Sequence, residues 1–594
     1  MRRFLFGFFS ALVMVAVVAA AAGYVFVLRG ADSFEEREPT TFATVEPIES
    51  LPDVQAHSRL FDQRIEEPAP GVHVAIGYGL ANVILIEAAE GLILVDTLES
   101  IRAAEGLKPW LDRMRADTGK DVTDLIYTHN HADHVFGAGV LLAGQDQSPR
   151  IWAQEMTQDR VHEVVSVLTP ITFKRAMRMF GTYLPEDSFS NNGIGPRLLN
   201  DDQDGVHFLL PTHTVGEQAE VVMAGERVVL RHAPGETLDQ LLVYLPDRGV
   251  LLPADNYYHA FPNLYTIRGT PYPDPRFWVA SLDAMRAFAP DVMIPQHSQP
   301  VLGADEIEKR LRNYRDAIQY VHDETIRLIN EGLSPDQIAE VIELPPHLAQ
   351  EPYLQEFYGR VEWAARAVFA GTLGWFSGDP VDLLPVGLSR EAELMAELAG
   401  GADQLHQAAV SALADDEYVW ALGLARHLAQ LSDSRAAALQ ARALRGLAAL
   451  ETSSSGRNYF LTMAAEAEGF EIPRNSIANT PSEVLNGIPI DNFMVALATN
   501  LRASENLDIE VAYGFNFADD APLTIRIRRG VAVIEPGLAS DAVGVLTTST
   551  ANFRAMAINR ANAAALLLSG EISVEGAVTE LTAFLARFNP PSGQ

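Results

Sequence analysis

The residues Thr128-His129-Asn130-His131-Ala132-Asp133-His134 place three imidazoles and a carboxylate within six positions, in a chain of 594 residues that has only 15 histidines. Imidazole nitrogen and carboxylate oxygen suit zinc. Four such groups exceed what one catalytic zinc takes from protein, because a catalytic ion keeps a position open for water. Two neighbouring metals are therefore the natural expectation. Leu125-Ile126-Tyr127 directly precedes the run and reads as the end of a short buried strand, so the ligands sit on a loop beyond a strand end. A dinuclear site needs further groups that converge from other loops, since no single loop can surround two ions.

The His-x-His-x-Asp-His string after a strand resembles the metallo-β-lactamase superfamily. The resemblance implies an αββα sandwich with the ligands on loops beyond strand ends. His232-Ala233-Pro234-Gly235-Glu236-Thr237 stands where the superfamily usually has Pro-Gly-His, so Glu236 replaces the customary histidine. That departure is similar to the alkylsulfatase branch, which hydrolyses sulfate esters of long-chain alcohols. Three further segments resemble the same branch. Leu251-Leu252-Pro253-Ala254-Asp255-Asn256 looks like the segment of the bridging carboxylate, with Asp255 where alkylsulfatases normally carry glutamate. Asn263-Leu264-Tyr265-Thr266-Ile267-Arg268-Gly269 is similar to the sulfate-holding segment. Pro295-Gln296-His297-Ser298-Gln299-Pro300 resembles the segment of the last histidine ligand, without the family's second histidine.

The resemblance implies metal one on His129, His131 and Glu236, metal two on Asp133, His134 and His297, and Asp255 as the bridge, with two zinc ions per subunit. Zinc lowers the pKa of bound water toward 7. Arg268 and Asn263 are implied as catalytic contacts to the sulfate, within a substrate-binding segment of Asn263, Leu264, Tyr265, Thr266, Ile267 and Arg268. The family's second arginine is missing, and Arg276 is the candidate replacement. Asp239 reads either as a group orienting a ligand or as a solvated carboxylate. His162, His232 and His259 match no ligand position.

Composition frames the rest. With 48% hydrophobic and 21% charged residues the chain reads as folded, and at about 150 residues per domain its length predicts three to four units. The 78 acidic against 44 basic residues give a net charge of −34, which opposes binding of nucleic acid. An amphiphilic sulfate ester is the expected small-molecule partner. Met1-Arg2-Arg3 precedes an uncharged run from Phe4 to Leu28, long enough to span a bilayer. This predicts an inner-membrane anchor with the enzyme facing the periplasm, or a secreted or periplasmic protein if the segment is a cleaved signal. Cysteine is absent, so disulfides and lipid attachment through cysteine are excluded.

The expected organisation is a membrane anchor or signal over 1–30, a linker or arm over 31–65, the catalytic sandwich over 66–325, a helical domain over 326–472 and an α+β domain over 473–594. Strand signals lie at Val72 to Ile76, Val83 to Glu87, Leu92 to Asp96, Val228 to Arg231, Leu241 to Leu245 and Val250 to Leu252, and helical signals at Ile101 to Arg115 and Pro275 to Phe288. The helical domain corresponds to the alkylsulfatase dimerisation region, which implies a homodimer; Glu417 to Leu431 and Ser434 to Ala449 read as paired helices. Ser453 to Gly456 is expected as a turn between helices. The last domain, with strands at Leu507 to Ala512, Leu523 to Arg528 and Val531 to Ile534, resembles sterol-carrier-protein-like folds that enclose an apolar tunnel. Two other functions stay open: another hydrolase of the same fold acting on a lactone, phosphoester or aryl sulfate, and a lipid-binding protein with a structural metal.

Overall fold

The computed structural model describes residues 48–594 apart from 165–167, 202–203, 271, 474–486, 558–560 and 589–594. The apolar run from Phe4 to Leu28 lies outside the described residues. Among the described residues no helix is long and apolar enough to cross a membrane.

Short β-branched and leucine-rich runs build the first sheet. Its strands are β1 (Arg64–Ala69), β2 (Val72–Ile76), β3 (Val83–Glu87), β4 (Leu92–Val95), β5 (Val122–Ile126), β6 (Arg150–Gln154) and β7 (His213–Val215), in spatial order β1 to β7. β1 to β4 run antiparallel and β4 to β7 parallel. The second sheet has the order β13-β12-β11-β10-β9-β8, from β8 (Gln218–Met223), β9 (Glu226–His232), β10 (Leu241–Leu245), β11 (Val250–Leu252), β12 (Val292–Met293) and β13 (Val301–Leu302). Ile84, Ile86, Ile93 and Val95 of one sheet and Leu230, Val243, Leu245 and Leu252 of the other share a single apolar core. β4 is buried on both faces, as a continuous Leu-Ile-Leu-Val run requires. Outside the first sheet the ring of Trp110, on helix Ile101–Thr118, meets His73 of β2. Outside the second, Leu282 and Met285 of helix Pro275–Ala287 pack with Leu242, Leu251 and Met293. The layers are those of the expected αββα sandwich.

Three sequence expectations need correction. Of the linker or arm expected over 31–65, the described part is an arm packed on the core, with Val54 of helix Pro52–Ser58 fully buried, and the boundary at 65 falls inside β1, which starts at Arg64. A boundary near 325 falls inside the continuous helix Ala304–Asn330, because Val321, Thr325 and Leu328 continue its buried stripe. The turn between helices expected at Ser453 to Gly456 ends at Ser453, and the next three residues are already helical. Ser453 accepts from the Gly456 amide as the N-cap of helix Ser454–Ala467, and all four residues are buried.

Beyond the sandwich, helices Leu388–Ala399, Ala402–Ala414, Tyr418–Gln430 and Ala436–Leu450 stack in sequence. Ala409, Ala421, Ala425 and Ala443 fill their interface, and small side chains let the backbones approach closely. Gly446 is required there, since a Cβ would lie 2.3 Å from the Tyr418 ring.

The chain forms two compact units, the larger comprising residues 48–161 and 172–472 of the described chain. The smaller is built from Pro473–Gln594 together with the excursion His162–Ile171. Its sheet has the order β16-β15-β14-β17-β18, from β14 (Glu510–Phe517), β15 (Leu523–Arg528), β16 (Val531–Pro536), β17 (Val545–Thr548) and β18 (Ser573–Glu575). Tyr513, Phe515, Ile525, Ile527, Leu546 and Phe584 form its core with helices on the sheet, an α+β arrangement as expected. The strand expected at Leu507 to Ala512 begins at Glu510, because the Ile509 amide donates to Asn506 O in a turn and pairing with β15 starts at Glu510 opposite Arg528.

Candidate metal centre

Each candidate ligand follows a strand end. β5 leads to His129, His131, Asp133 and His134, β9 to Glu236, β11 to Asp255 on a one-turn helix at Ala254–Asn256, and β12 to His297. Thr128 O accepts from the Leu241 amide at 2.8 Å, so the first ligand loop is tied to the second sheet. Helix Pro275–Ala287 holds the next two loops. Trp278 Nε1 donates to Asn256 O at 3.0 Å and Ser281 Oγ to Pro234 O at 2.8 Å. Asn256 Nδ2 donates to Ala233 O at 2.8 Å. Gly235 is needed at this crossing, where a Cβ would stand 1.9 Å from Asn256 Oδ1.

Two triplets converge: His129, His131 and Asp255, and Asp133, His134 and His297, with the ligand atoms of each within 4.8 Å of one another. Asp255 Oδ2 lies 3.4 Å from His129 Nε2, 3.3 Å from His134 Nε2 and 3.2 Å from His297 Nε2. It is thus placed between the two sets. Asp133 Oδ2 lies 3.5 Å from His134 Nε2 and 3.4 Å from His297 Nε2. Glu236 belongs to neither triplet but is close enough to Asp255, Arg268 and Asp133 to feel their charge.

The donor set fits a pair of divalent cations. His129 Nε2, His134 Nε2, Asp255 Oδ1 and Glu236 Oε2 are buried without a hydrogen-bond partner, a costly state for polar atoms unless something binds them. The protonation pattern agrees. Burial opposes charge on Asp255, yet the imidazoles of His297, His134 and His129 hold its carboxyl well below the usual carboxylate range. Asp133 is likewise held low, against burial, by His134 and His297. Burial, followed by repulsion from Asp255, drives Glu236 far up. His134 and His297 are raised despite burial by the carboxylates around them, Asp255 first. Burial, His129 and Arg268 keep His131 neutral. Cations at this cluster would compete with protons for the same donors.

Arg268 Nη2 donates to His131 Nε2 at 3.0 Å, so the guanidinium adjoins the first triplet. Asn263 is buried; its side chain hydrogen-bonds with Tyr358, whose environment includes Glu236, Arg268 and Asp133, and its amide donates to the Tyr258 hydroxyl at 2.8 Å. Leu264 packs in the core, Thr266 Oγ1 donates to Met179 Sδ at 3.1 Å, and Tyr265 and Ile267 are half-buried. Arg276 does not replace the missing arginine; it is exposed and forks onto Asp274, with Nη2 to Oδ2 at 2.5 Å. Asp239 is fully buried and accepts from Thr237 Oγ1 at 2.8 Å, which removes the solvated reading.

Comparison with known proteins identifies the lineage. The metallo-beta-lactamase superfamily pattern matches residues 76–297, the alkyl sulfatase dimerisation pattern 334–469 and the alkyl sulfatase C-terminal pattern 478–594. Over 526 residues, covering 85% of this chain and 98% of the relative, it is 36% identical to the linear primary-alkylsulfatase of Pseudomonas sp. (strain ATCC 19151). The chain belongs to the alkylsulfatase family. A more distant alkylsulfatase relative is the alkyl/aryl-sulfatase BDS1 of Saccharomyces cerevisiae, 28% identical over 85% of this chain and 79% of that one. The solved stereoselective inverting sec-alkylsulfatase Pisa1 from Pseudomonas sp. shares the fold, with a TM-score of 0.81, 22% identity and coverage of 98% of this chain and 97% of that one.

Several site residues of this alkylsulfatase family member lie outside the segments singled out in the sequence. Asp96 Oδ2 accepts from His134 Nδ1 and from Thr128 Oγ1, both at 2.8 Å, and its Oδ1 from the Thr128 amide. Arg175, on helix Thr169–Phe180, donates to Ile267 O through Nε at 3.2 Å and Nη2 at 2.7 Å, fixing the backbone just before Arg268. Asp96 could have been sought at the end of β4 as a partner for a ligand histidine. Arg175 and Tyr358 had no such clue.

Proposed function

We propose that this protein hydrolyses alkyl sulfate esters to an alcohol and inorganic sulfate, using two zinc ions per subunit. The observation that carries the reading is Asp255 set between two ligand triplets, with Arg268 against one of them. His129, His131 and Asp255, with Glu236 beside them, would hold one cation, and Asp133, His134 and His297 the other, with Asp255 shared. The two cations would supply positive charge beside the sulfate and the activation of water at neutral pH. Overall, one water and one sulfate ester give one alcohol and one hydrogen sulfate: the ester C–O–S linkage is opened, and the two protons of the water end on the alcohol and the sulfate.

The side chains have distinct tasks. Arg268 offers a planar fork of donors to the sulfate oxygens, and Arg175 fixes the peptide that carries it. Asn263, held against Tyr358, presents an amide to the same group. Asp96 orients His134. The net charge of −34 repels an anionic substrate at long range, so the local cations and Arg268 must reverse the field at the site.

The relatives carrying the alkylsulfatase name support this substrate class. The alkyl sulfatase dimerisation match over 334–469 supports a homodimer built on this helical region, where Trp375, Val381 and Leu384, just before the stacked helices, are exposed. The run from Phe4 to Leu28 carries the last part of the reading, an inner-membrane anchor facing the periplasm, or a secreted or periplasmic form if the run is removed; fractionation of cells checks it.

The deciding experiment measures sulfate release from dodecyl sulfate by protein lacking residues 1–30, with metal content on the same sample. Release with about two zinc ions per chain is expected. Two ions without release would redirect the search to lactones and phosphoesters.

A further inference from the structure

Glu99 is fully buried and forms no ion pair among the described residues, yet it belongs to neither ligand triplet. Its carboxylate is occupied by backbone amides. Oε1 accepts from Leu199 N at 2.8 Å and Leu80 N at 3.3 Å, and Oε2 accepts from Leu80 N at 3.1 Å. The Leu80 peptide is the connection to the site, because its carbonyl accepts from His297 Nδ1 at 3.0 Å. Two residues on, Asn82 Nδ2 donates to Pro295 O at 3.0 Å and Ser298 O at 2.7 Å, and the Asn82 amide donates to Gln296 O at 2.5 Å. The segment from Gly79 to Asn82 is thus a cradle for the His297 loop, gripped from behind by Glu99.

The packing leaves that cradle no slack. A Cβ on Gly79 would stand 2.4 Å from Glu99 Oε2, and one on Gly195 would stand 2.1 Å from Leu80 O. The turn that carries Glu99 is itself strained, with Asp96 at φ 62° and Leu98 at φ 68°, values that non-glycine residues adopt only when their surroundings impose them. The same turn supplies Asp96 to His134.

We propose that Glu99 is a positioning residue for His297, acting through the Leu80 peptide, so that one strained turn orients both histidines of the Asp133, His134 and His297 triplet. His134 receives a carboxylate directly. His297 receives a carbonyl whose peptide a carboxylate locks. This inference rests on the dinuclear reading given above.

The test is stepwise zinc binding to the metal-free full chain of parent, Glu99→Ala and Glu99→Gln, followed by competition with a chelator, with circular dichroism of each metal-free protein. Loss of a partner that orients a ligand histidine typically weakens metal binding 10- to 100-fold. In Glu99→Ala one of the two ions should weaken by about that factor while the other keeps the parent affinity. Glu99→Gln retains an acceptor at one position only, and the same ion should weaken by less. Equal affinities for both ions in folded Glu99→Ala overturn the inference and leave the functional reading intact. Equal weakening of both ions, with lowered stability of the metal-free chain, also overturns it, since that is what a purely structural carboxylate would give. If Glu99→Ala does not fold, Glu99→Gln decides by the same comparison. A parent chain that binds fewer than two ions removes the dinuclear reading and the inference with it.

Discussion

Arg268 touches the metal centre only through His131, so removing its charge should spare the cations and harm the reaction. Arg268→Ala is expected to lower kcat/KM for dodecyl sulfate by about 10²- to 10³-fold, the usual cost of one donor aimed at developing charge, with metal content unchanged. Arg268→Lys, which keeps the charge without the fork, should recover part of the loss. A second residue-scale expectation concerns acid. His57 lies face to face with Phe357 at 4.1 Å, donates to Gly193 O at 2.7 Å, and stacks on His259 at 6.3 Å. Burial lowers His57 to about 4, and burial with His57 as neighbour lowers His259 to about 3. A depressed imidazole contributes stability that is complete above its unfolded pKa near 6.5 and is lost as pH falls toward the folded value. The stability advantage of the parent over His57→Gln should therefore shrink by about 3 kcal/mol between pH 6.5 and 4, read by urea unfolding of both proteins. At this scale the sequence showed the first four ligands because they crowd into one loop, and Glu236, Asp255 and His297 through the resemblance of their segments to those of the alkylsulfatases. Asp96, Glu99, Arg175 and Tyr358 were hidden because their tasks arise from contacts across the fold. Leu80 and His297 meet over 217 positions of chain.

The elements that position the site are loops braced by one helix. Helix Pro275–Ala287 reaches Pro234 with Ser281 and Asn256 with Trp278, and thereby sets the distance between Glu236 and Asp255. Gly235 is the point where these loops cross. Gly235→Ala must displace Asn256, with an expected cost of about 1–3 kcal/mol in stability, and it should release metal at chelator concentrations that the parent withstands. Strands were legible wherever burial of both faces imposed a continuous apolar run, and Val83–Glu87 and Leu241–Leu245 have the bounds expected from sequence. Legibility failed where hydrogen bonding rather than hydrophobic pattern set the limits. The serines from Ser453 to Ser455 look like a loop, yet the first caps a helix and the others are buried in it, Ser454 Oγ donating to Asn191 Oδ1 at 2.7 Å.

At the scale of the molecule, the segment after helix Val361–Leu373 turns its apolar side chains outward. Trp375 is 74% and Leu384 88% exposed, values a soluble surface tolerates singly but not in series. Leu384→Asp is expected to shift the protein from dimer to monomer in sedimentation velocity, with the metal centre retained. The sequence conveyed this region as helical through its alanine and leucine spacing, but hydrophobic pattern alone does not distinguish a face turned inward from one turned to a second copy. The division into units carries a consequence of another kind. The smaller unit joins Pro473–Gln594 to an excursion from inside the catalytic sequence, His162–Ile171, and Gly487 is close enough to His162 that a Cβ would stand 2.6 Å from its Nε2. A ribosome delivers these two pieces far apart in time. During synthesis the face of His162 that meets Gly487 must wait, uncovered, until the last part of the chain has emerged, so translation that stops short of residue 473 should yield a product that chaperones hold and proteases cut near His162.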